Sequence, residues 1–255
     1  MTEQQNPGKR ARNRAEIQAS LLRTARSHLA SHGAAGLSLR AVARDMGMAP
    51  SALFRYTANR DELLTLLIVT AYDELGERVE TAERAVRRSD TAGRWAAVAG
   101  ALRAWALRNP HDYALLYGSP VPDYAAPGET TNTPGTRVLR LVAGIIRDSG
   151  PAVGDPGAEG TGSAESAPAP PPPADPITAR YAAAGISALR QDPDISGLDP
   201  QRVVRGLAAW NLLIGAVSSE VFGHLGPGAG DMDALFECTV ALSGGLFLPD
   251  PATGA

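Results

Sequence analysis

Cysteine, aromatic residues and long apolar runs are all scarce in this chain of 255 residues, and each scarcity excludes a class of protein. Cys238 is the single cysteine, so no disulfide can form within the chain, and a reducing compartment such as the cytoplasm is expected. No apolar run is long enough to cross a bilayer and the N-terminus lacks the apolar stretch of a signal peptide, so we expect no membrane partner. Hydrophobic residues still make up 44% of the chain, which predicts a globular fold with real cores.

Sequence motifs of enzymes are also missing. The chain has no phosphate-binding loop, no paired metal motif and no nucleophile elbow. His28 and His32 stand four residues apart, a spacing that suits a metal, but no third ligand is evident, so packing of His28 and a helix-end position for His32 are preferred. Cys238 lies in an apolar helical pattern that favours a buried thiol. We therefore predict a protein that is not an enzyme and has no metal or cofactor.

The charges are unevenly distributed along the chain. The net charge is −3, yet the residues through Arg60 include ten basic and three acidic side chains. The remainder contains 14 basic and 24 acidic side chains, so the two parts carry about +7 and about −10. A charge run is often only a solvated face, but this division favours phosphate binding confined to the N-terminal quarter.

The stretch from 37 to 64 has the pattern of two short helices joined by a tight turn and followed directly by a third helix. Ser38 has the chemistry of an N-cap, and Gly47 stands where the first helix would end in a left-handed residue, so the turn is predicted at 47–49. Pro50 suits the first position of the second helix, and Asn59 can cap the third. Two short helices crossing at such a turn indicate a helix-turn-helix, whose second helix enters the DNA major groove.

This stretch resembles the N-terminal motif of the tetracycline-repressor (TetR) family, without insertion or deletion. The matching residues are Ser38, Gly47-Met48, Leu53-Phe54, Tyr56-Thr57, Asn59-Arg60 and Leu63-Leu64. Three of them depart from the family pattern: Phe54 replaces a Tyr, Tyr56 replaces a His, and Thr57 replaces a core aromatic and so predicts a locally smaller core. The resemblance implies a prokaryotic, nucleoid-associated regulator whose partner is double-stranded DNA.

The DNA contacts follow from this motif and from the local charge. We expect Ser38, Arg40, Tyr56 and Arg60 to hold phosphates, while Ala49, Pro50, Ser51 and Arg55 face base edges. Phe54 belongs to the same surface but lacks the hydroxyl that the family's Tyr often gives to a phosphate.

The whole chain is predicted to be all-α, with an N-terminal three-helix helix-turn-helix domain and a C-terminal helical bundle that binds ligand and dimerises. Residues 1–12 form a disordered basic arm that can reach DNA or merely solubilise the protein, 13–58 form the DNA-binding domain, and 59–248 form the regulatory domain. A Pro/Gly-rich segment over 150–176 is read as a flexible linker, or alternatively as a proline-rich ligand for another protein. Helices are predicted over 13–32, 59–89, 91–107, 111–118, 136–148, 177–190, 201–225 and 231–248, with a long loop over 119–135.

The helix over 201–225 is apolar on most sides, so either the chain's own helices or a partner subunit must cover it. The family resemblance implies that the last two helices pair with their copies in a homodimer, through Leu213, Ala216, Val217, Glu220, Val221, Leu235 and Leu242. The C-terminal part also resembles a regulatory-domain subgroup marked by Trp-x-x-x-His-Gly. Trp210 and Gly215 match that mark, and Ile214 stands in place of the His.

Aromatic residues on successive helices of the body suggest an effector pocket. The candidate lining residues are Trp95, Trp105, Tyr113, Tyr117 and Tyr124, with Trp210 closing the pocket from the dimer side. Arg103 and Arg108 are expected to face water, so the predicted effector is an apolar or aromatic small molecule. A fully packed core without a cavity is the alternative.

By resemblance, we expect a ligand-responsive repressor that binds a palindromic operator as a dimer and is released when the effector moves the helix beginning at 59. A constitutive DNA-binding protein or an activator with a packed body is the alternative.

Overall fold

The computed structural model describes residues 7–150, 192–226, 228 and 230–248. These residues are helical with connecting segments and contain no strand, so the all-α prediction is confirmed. No helix in this part of the chain is both long and apolar enough to cross a membrane. Most of the predicted linker over 150–176 and the helix predicted over 177–190 lie outside the described residues. The helices are α1 (Pro7–His32), α2 (Leu39–Asp45), α3 (Pro50–Leu53), α4 (Arg60–Arg84), α5 (Thr91–Arg108), α6 (Pro110–Tyr117), α7 (Gly128–Gly135), α8 (Arg137–Asp148), α9 (Pro200–Val221) and α10 (Met232–Gly244).

Helix α1 begins earlier than the sequence pattern predicted. The helix starts at Pro7, so the prediction of a disordered arm over 1–12 was wrong from residue 7 onward. Proline favours the first helical position because its missing N–H has no intrahelical partner there. Arg10 and Arg12 are exposed on this added part of the helix, and Arg12 Nε donates to the Gly8 carbonyl at 3.1 Å.

The loop predicted over 119–135 contains a helix, α7, and that prediction was wrong over 128–135. Its sequence GETTNTPG has weak helix propensity, but Thr131 and Pro134 are buried, and tertiary packing outweighs propensity in such a segment.

Two other helices end sooner than predicted. Helix α4 ends at Arg84 and α9 at Val221, and after α9 Gly223 adopts a left-handed φ of 66° that stops the helix.

The described residues belong to two compact units. Unit 1 comprises residues up to Glu74 and Arg108–Gly135, and unit 2 comprises Leu75–Leu107 and the residues from Thr136 onward. This division differs from the predicted boundary at 58/59, because α6, α7 and more than half of α4 group with the helix-turn-helix. Unit 1 is built on an apolar core of Leu21, Ala25, Leu37, Val42, Ala43, Leu53, Leu63, Leu64 and Leu67.

A charged cluster joins three helices of unit 1. Arg26 of α1 pairs with Glu74 of α4 at 2.8 Å and with Asp112 of α6 at 3.1 Å. Asp112 is buried, and this burial raises the pKa of its carboxyl group while Arg26 opposes the rise. The cluster therefore ties the first helix of the DNA-binding domain to helices that lie much later in the sequence.

Unit 2 also contains a buried ion cluster. Arg94 of α5 is only 5% exposed and pairs with Glu83 at 2.6 Å and with Asp148 of α8 at 2.7 Å. Such a buried cation is tolerated because both of its partners are at hydrogen-bonding distance. Apolar side chains fill the rest of the unit, among them Val98, Leu102, Trp105, Val142, Ile145, Val203, Leu213 and Phe247.

Candidate nucleic-acid interface and regulatory surfaces

The turn between α2 and α3 has the geometry predicted from its residues. Gly47 adopts a left-handed φ of 64°, which is costly for any residue with a Cβ. Pro50 is the first residue of α3, and Asn59 caps α4 by accepting from the Glu62 N–H at 2.8 Å. Leu53 is 1% exposed and anchors α3 to the core of unit 1. These contacts fix a short helix whose remaining faces point outward.

The outward face of α3 consists of the residues predicted to meet base edges. Ala49, Pro50, Ser51 and Arg55 are all exposed, and Phe54 exposes 53% of its surface. An exposed face of this kind can enter a major groove, and Leu53 is the one fully buried residue of the four-residue helix.

Exposed arginines flank that face on α2. Arg40 is exposed as predicted. Arg44 was not predicted as a contact, yet its side chain is 77% exposed. Its position one turn after Arg40, in a helix that precedes the turn, is the sequence signal that could have identified it. Ser38 occupies the N-cap position of α2 but makes no side-chain capping bond, so its hydroxyl remains available to a phosphate.

Arg60 is placed differently from the phosphate contact that the sequence suggested. Its guanidinium donates to the carbonyls of Ala34 and Ala35 at 3.0 and 3.4 Å and lies 3.6 Å from Asp61. The side chain is 29% exposed. Because these oxygens already accept from its guanidinium, Arg60 braces the segment between α1 and α2, and its contact with a phosphate stays a prediction.

Two further side chains show how the helix-turn-helix is supported. Thr57 is 1% exposed and donates to the Asn59 carbonyl at 3.1 Å, as expected of a small residue in a core position. His28 is 8% exposed and lies 2.7 Å from Asp45, a hydrogen bond that lowers the pKa of Asp45. Its ring stacks on His32 at 5.7 Å, and within the described ranges no three potential ligands group into a metal site.

The six aromatic residues proposed for one effector pocket divide between the two units. Tyr113, Tyr117 and Tyr124 belong to unit 1. The Tyr113 and Tyr117 rings are 5.1 Å apart, and burial raises the pKa of Tyr117. Tyr124 lies 2.8 Å from Thr65 through their hydroxyl groups. Within this unit, Tyr113 is fully buried and is a core residue.

Trp95, Trp105 and Trp210 belong to unit 2, and Trp95 lines a large groove. Its indole N–H donates to the Val240 carbonyl at 3.1 Å and to Ser243 Oγ at 3.2 Å. Its ring meets Phe247 edge to face at 5.3 Å. The groove measures about 630 Å³ and is lined by Ala92, Trp95, Ala96, Phe236, Glu237, Val240, Ala241, Gly244, Gly245 and Leu248. Trp105 is fully buried and Trp210 is half-buried on α9.

Several side chains expected at a dimer interface are instead used inside unit 2. Leu213 and Val217 are fully buried within a single chain, so assigning them to contact with a partner was wrong. Glu220 accepts two hydrogen bonds from Arg103, both at 2.7 Å. Arg103 also pairs with Asp233 at 2.6 Å, so the expectation that it faces water was wrong as well. Ala216 and Val221 are half-buried.

A different set of side chains forms the outer surface of the last two helices. Leu235 and Leu242 are 42% and 67% exposed, as the interface prediction requires. Leu212 and Leu246 are 50% and 38% exposed. Cys238 is exposed between Leu235 and Leu242, which overturns the prediction of a buried thiol. We call Leu212, Leu235, Cys238, Leu242 and Leu246 the outer stripe.

The fold and the exposed recognition helix define a helix-turn-helix DNA-binding protein with a second helical body. Residues 21–67 match the family described as bacterial regulatory proteins, tetR family, and residues 95–242 match the tetracyclin repressor-like C-terminal domain. HTH-type transcriptional regulators of Mycobacterium tuberculosis and Mycobacterium bovis are each 41% identical to the chain over 224 residues, which cover 86% of both sequences. The chain therefore belongs to the TetR family of transcriptional regulators.

Solved structures agree with this assignment. The regulatory protein SCO4313 superposes with a TM-score of 0.70 and 28% identity, over 92% of this chain and 98% of that chain. A tetR family transcription regulator from Shewanella sp. PV-4 gives a TM-score of 0.52 at 17% identity, over 88% and 96% of the two chains. The second likeness concerns the fold alone.

Proposed function

We propose that this TetR-family regulator is a repressor that binds a palindromic operator as a homodimer and is released by a small apolar effector. The apolar groove at Trp95 is the observation that carries the proposal, because a constitutive DNA-binding protein has no need of one. DNA recognition, dimerisation and effector binding are each supported by separate contacts.

DNA recognition rests on the outward face of α3 and the basic side chains beside it. Ser51 and Arg55 are exposed donors at the start and side of α3, suited to base edges. Arg40 and Arg44 on α2 supply charge for phosphates without being committed to the core.

Dimerisation through the outer stripe would remove exposed leucines from water. Leu235 and Leu242 are seven residues apart, which places them on one side of α10, and Leu246 follows two residues after the helix ends at Gly244. Burying a leucine that was exposed is worth about 1.5–3 kcal/mol. A two-fold interface repeats each contact and presents two recognition helices to two half-sites, as a palindrome demands.

Effector binding is assigned to the groove at Trp95. A volume of about 630 Å³ lies within the range of small-molecule sites, roughly 300–1,000 Å³. Alanine, glycine and leucine make up six of the ten described lining residues, and Glu237 is the one carboxylate among those ten. This lining favours an apolar ligand over a phosphate or a sugar acid. Of the aromatic set predicted from the sequence, only Trp95 is retained in this site.

Helix α4 offers a route from the effector to the DNA. It is one uninterrupted helix from Arg60 to Arg84, and its last residues belong to unit 2. A ligand that favours a different position of its unit 2 end would also move the end that follows α3. The separation of the two recognition helices would then no longer fit both half-sites.

The test combines selection of DNA with a groove-filling variant. The protein selects its preferred site from randomised duplexes, and we expect a consensus with two inverted half-sites. A panel of apolar compounds is then screened for release of that DNA in gel shifts. Ala96→Phe places a ring in the groove, so it should bind DNA normally but respond at least about tenfold less to an active compound.

Leu107→Phe is the matched control, because Leu107 is 44% exposed on the same helix and does not line the groove. An undivided consensus would refute dimeric recognition. The effector assignment would be refuted if no compound of the panel released DNA. It would also be refuted if an active compound released DNA equally well from the wild type and from Ala96→Phe.

A further inference from the structure

Helix α1 begins well before the part of the chain that matches the TetR family. The N-terminal family match starts at residue 21, whereas α1 starts at Pro7, so about four turns of helix precede the matched region. This added length carries three exposed arginines, Arg10, Arg12 and Arg14. Because the family match does not cover them, their role has to be inferred from their own contacts.

Arg14 lies beside the end of the recognition helix. It comes two turns before Leu21 on the same side of α1, and Leu21 is fully buried in the core of unit 1. The Arg14 guanidinium carbon lies over the Tyr56 ring, 5.9 Å from its centre. Tyr56 is half-buried, packs against the same core and follows the last residue of α3, Leu53, by three residues. Arg14 therefore carries a positive charge from α1 to the recognition helix.

The charged head of Arg14 has no carboxylate partner among the described residues. Two carboxylates, Asp61 and Glu62, line a groove that also includes the ring beneath Arg14. Asp61 lies 3.6 Å from Arg60, and Glu62 accepts from the Ala58 N–H, so each of them has a partner of its own. An aromatic ring thus holds Arg14 in place, and no opposite charge in this part of the protein neutralises it.

Contact with a ring leaves a guanidinium able to bind an anion. The five N–H donors of arginine lie in the plane of the group, and a ring beneath that plane does not use them. The same donors can bind two oxygens of a phosphate at once. The cation–π contact limits where the group can be, while its full charge is kept. Arg14 is also exposed, so it has the position, the charge and the access that a phosphate contact needs.

We propose that Arg14 is a contact of α1 to the DNA backbone and that the Tyr56 ring is the positioning residue that holds it. This rests on DNA recognition by α3 as proposed above, and on neither dimerisation nor the effector. Tyr56 was expected to hold a phosphate through its hydroxyl group, and the proposal gives its ring that role indirectly, through Arg14. The contact supplements Arg40 and Arg44 on α2, and it strengthens binding to all sequences alike.

The proposal is tested by the salt dependence of DNA binding, measured with the full chain and the duplex that it selects. Arg14→Gln should lower the slope of log affinity against log salt by about 0.9 for each bound protomer. Arg14→Lys keeps the charge and should keep most of the slope. Arg23→Gln is the matched control, because Arg23 is exposed on the same helix but lies nine residues later, on the opposite side, and its slope should equal that of the wild type.

Variants of Tyr56 separate the ring from the hydroxyl group. Tyr56→Phe keeps the ring, so its affinity and slope should stay within about twofold of the wild type. Tyr56→Leu removes the ring and should bind at least about threefold more weakly at moderate salt. Combining Tyr56→Leu with Arg14→Gln should then cost less than the two single losses together, because both remove the same contact. Circular dichroism establishes that each variant is folded before DNA is added.

The outcomes distinguish this inference from DNA recognition itself. A wild type that binds DNA together with an unchanged slope in Arg14→Gln would overturn the Arg14 contact alone. A slope lowered equally in Arg23→Gln would overturn it as well, because any arginine of α1 would then have the same effect. Tyr56→Phe binding as weakly as Tyr56→Leu would show that the hydroxyl group matters and would refute the positioning role. A wild type that binds no duplex at low salt would overturn both proposals.

Discussion

Replacing Arg103 with Met should destabilise the protein by about 3 kcal/mol, because it removes the cation that joins α5 to α9 and α10. The Arg103 guanidinium donates to both carboxylate oxygens of Glu220 at 2.7 Å and lies 2.6 Å from Asp233. Its carbon also lies 4.7 Å from the centre of the Phe236 ring. These hydrogen bonds, chiefly those with Glu220, raise the pKa of Arg103, so it stays charged at every pH at which the protein is folded.

The magnitude follows from how deeply each partner is buried. The side chains of Arg103 and Glu220 are 16% and 15% exposed, so the variant leaves a carboxylate without a partner in a largely enclosed site. Breaking a buried pair costs about 3–5 kcal/mol. Partial exposure of Glu220 places the loss at the lower end of that range. Asp233 is 79% exposed, and its contact adds at most about 1 kcal/mol.

Urea unfolding followed by circular dichroism measures the effect at one fixed protein concentration. The cycle comprises Arg103→Met, Glu220→Gln and the double variant, and we expect the double variant to be more stable than the sum of the single losses predicts. Arg108→Met is the control, because Arg108 is exposed on the same helix and should change stability by less than about 0.5 kcal/mol. This account of the cluster would be refuted if Arg103→Met lowered the free energy of unfolding no more than the control does. It would also be refuted if the effects of the two single variants simply added in the double variant.

Three further predictions follow from exposure and charge. Arg40→Ala should lower the slope of DNA affinity against salt by about one unit in a gel-shift series, and an unchanged slope would remove Arg40 from the phosphate contacts. Leu242→Arg should give a folded monomer in sedimentation, because Leu242 is 67% exposed in one chain. Leu213→Arg should fail to fold, since Leu213 is fully buried. A dimeric Leu242→Arg protein would exclude the outer stripe as the interface. Hydrogen bonding to Arg137 lowers the pKa of Glu80, so this pair contributes stability above the ordinary carboxyl pKa and loses it as pH falls through the lowered value. Glu80→Gln should therefore be less stable than wild type near neutrality and approach it in acid, and parallel unfolding curves at all pH values would contradict the assignment.

The sequence predicted the DNA-binding end well because its signals there are local. Gly47 follows α2 in a left-handed conformation, Pro50 begins α3, and Asn59 caps α4. Each of these helix boundaries depends on contacts among a few neighbouring residues. The exposed face of α3 follows from those three positions. The hydrogen bonds of Arg60 were not predicted because its partners, the carbonyls of Ala34 and Ala35, lie some 25 residues earlier and have no sequence signature.

The regulatory body was predicted less completely because its contacts are distant in sequence. Arg103 meets Glu220 across 117 residues, and no helical period indicates that an arginine will be enclosed. Helix α7 depends on burial of Thr131 and Pro134, which propensity alone opposes. Helix α9 is apolar on most sides, so periodicity cannot distinguish the side that meets its own chain from the side that meets a partner. Leu212 and Leu213 are adjacent residues, yet one is half exposed and the other fully buried.

Helix α10 connects the proposed interface with the proposed effector site. One side carries Leu235 and Leu242 of the outer stripe, and another carries Phe236 and Ser243, which are buried. The groove residues Glu237 and Ala241 belong to the same helix and are four residues apart, which places them along one edge of the helix, and Gly245 follows directly after its end. A ligand that enters the groove and displaces this edge must also displace Leu235 and Leu242, since the helix moves as one body. Under the proposed function, effector binding therefore acts on the dimer interface through α10 in addition to the proposed movement of α4.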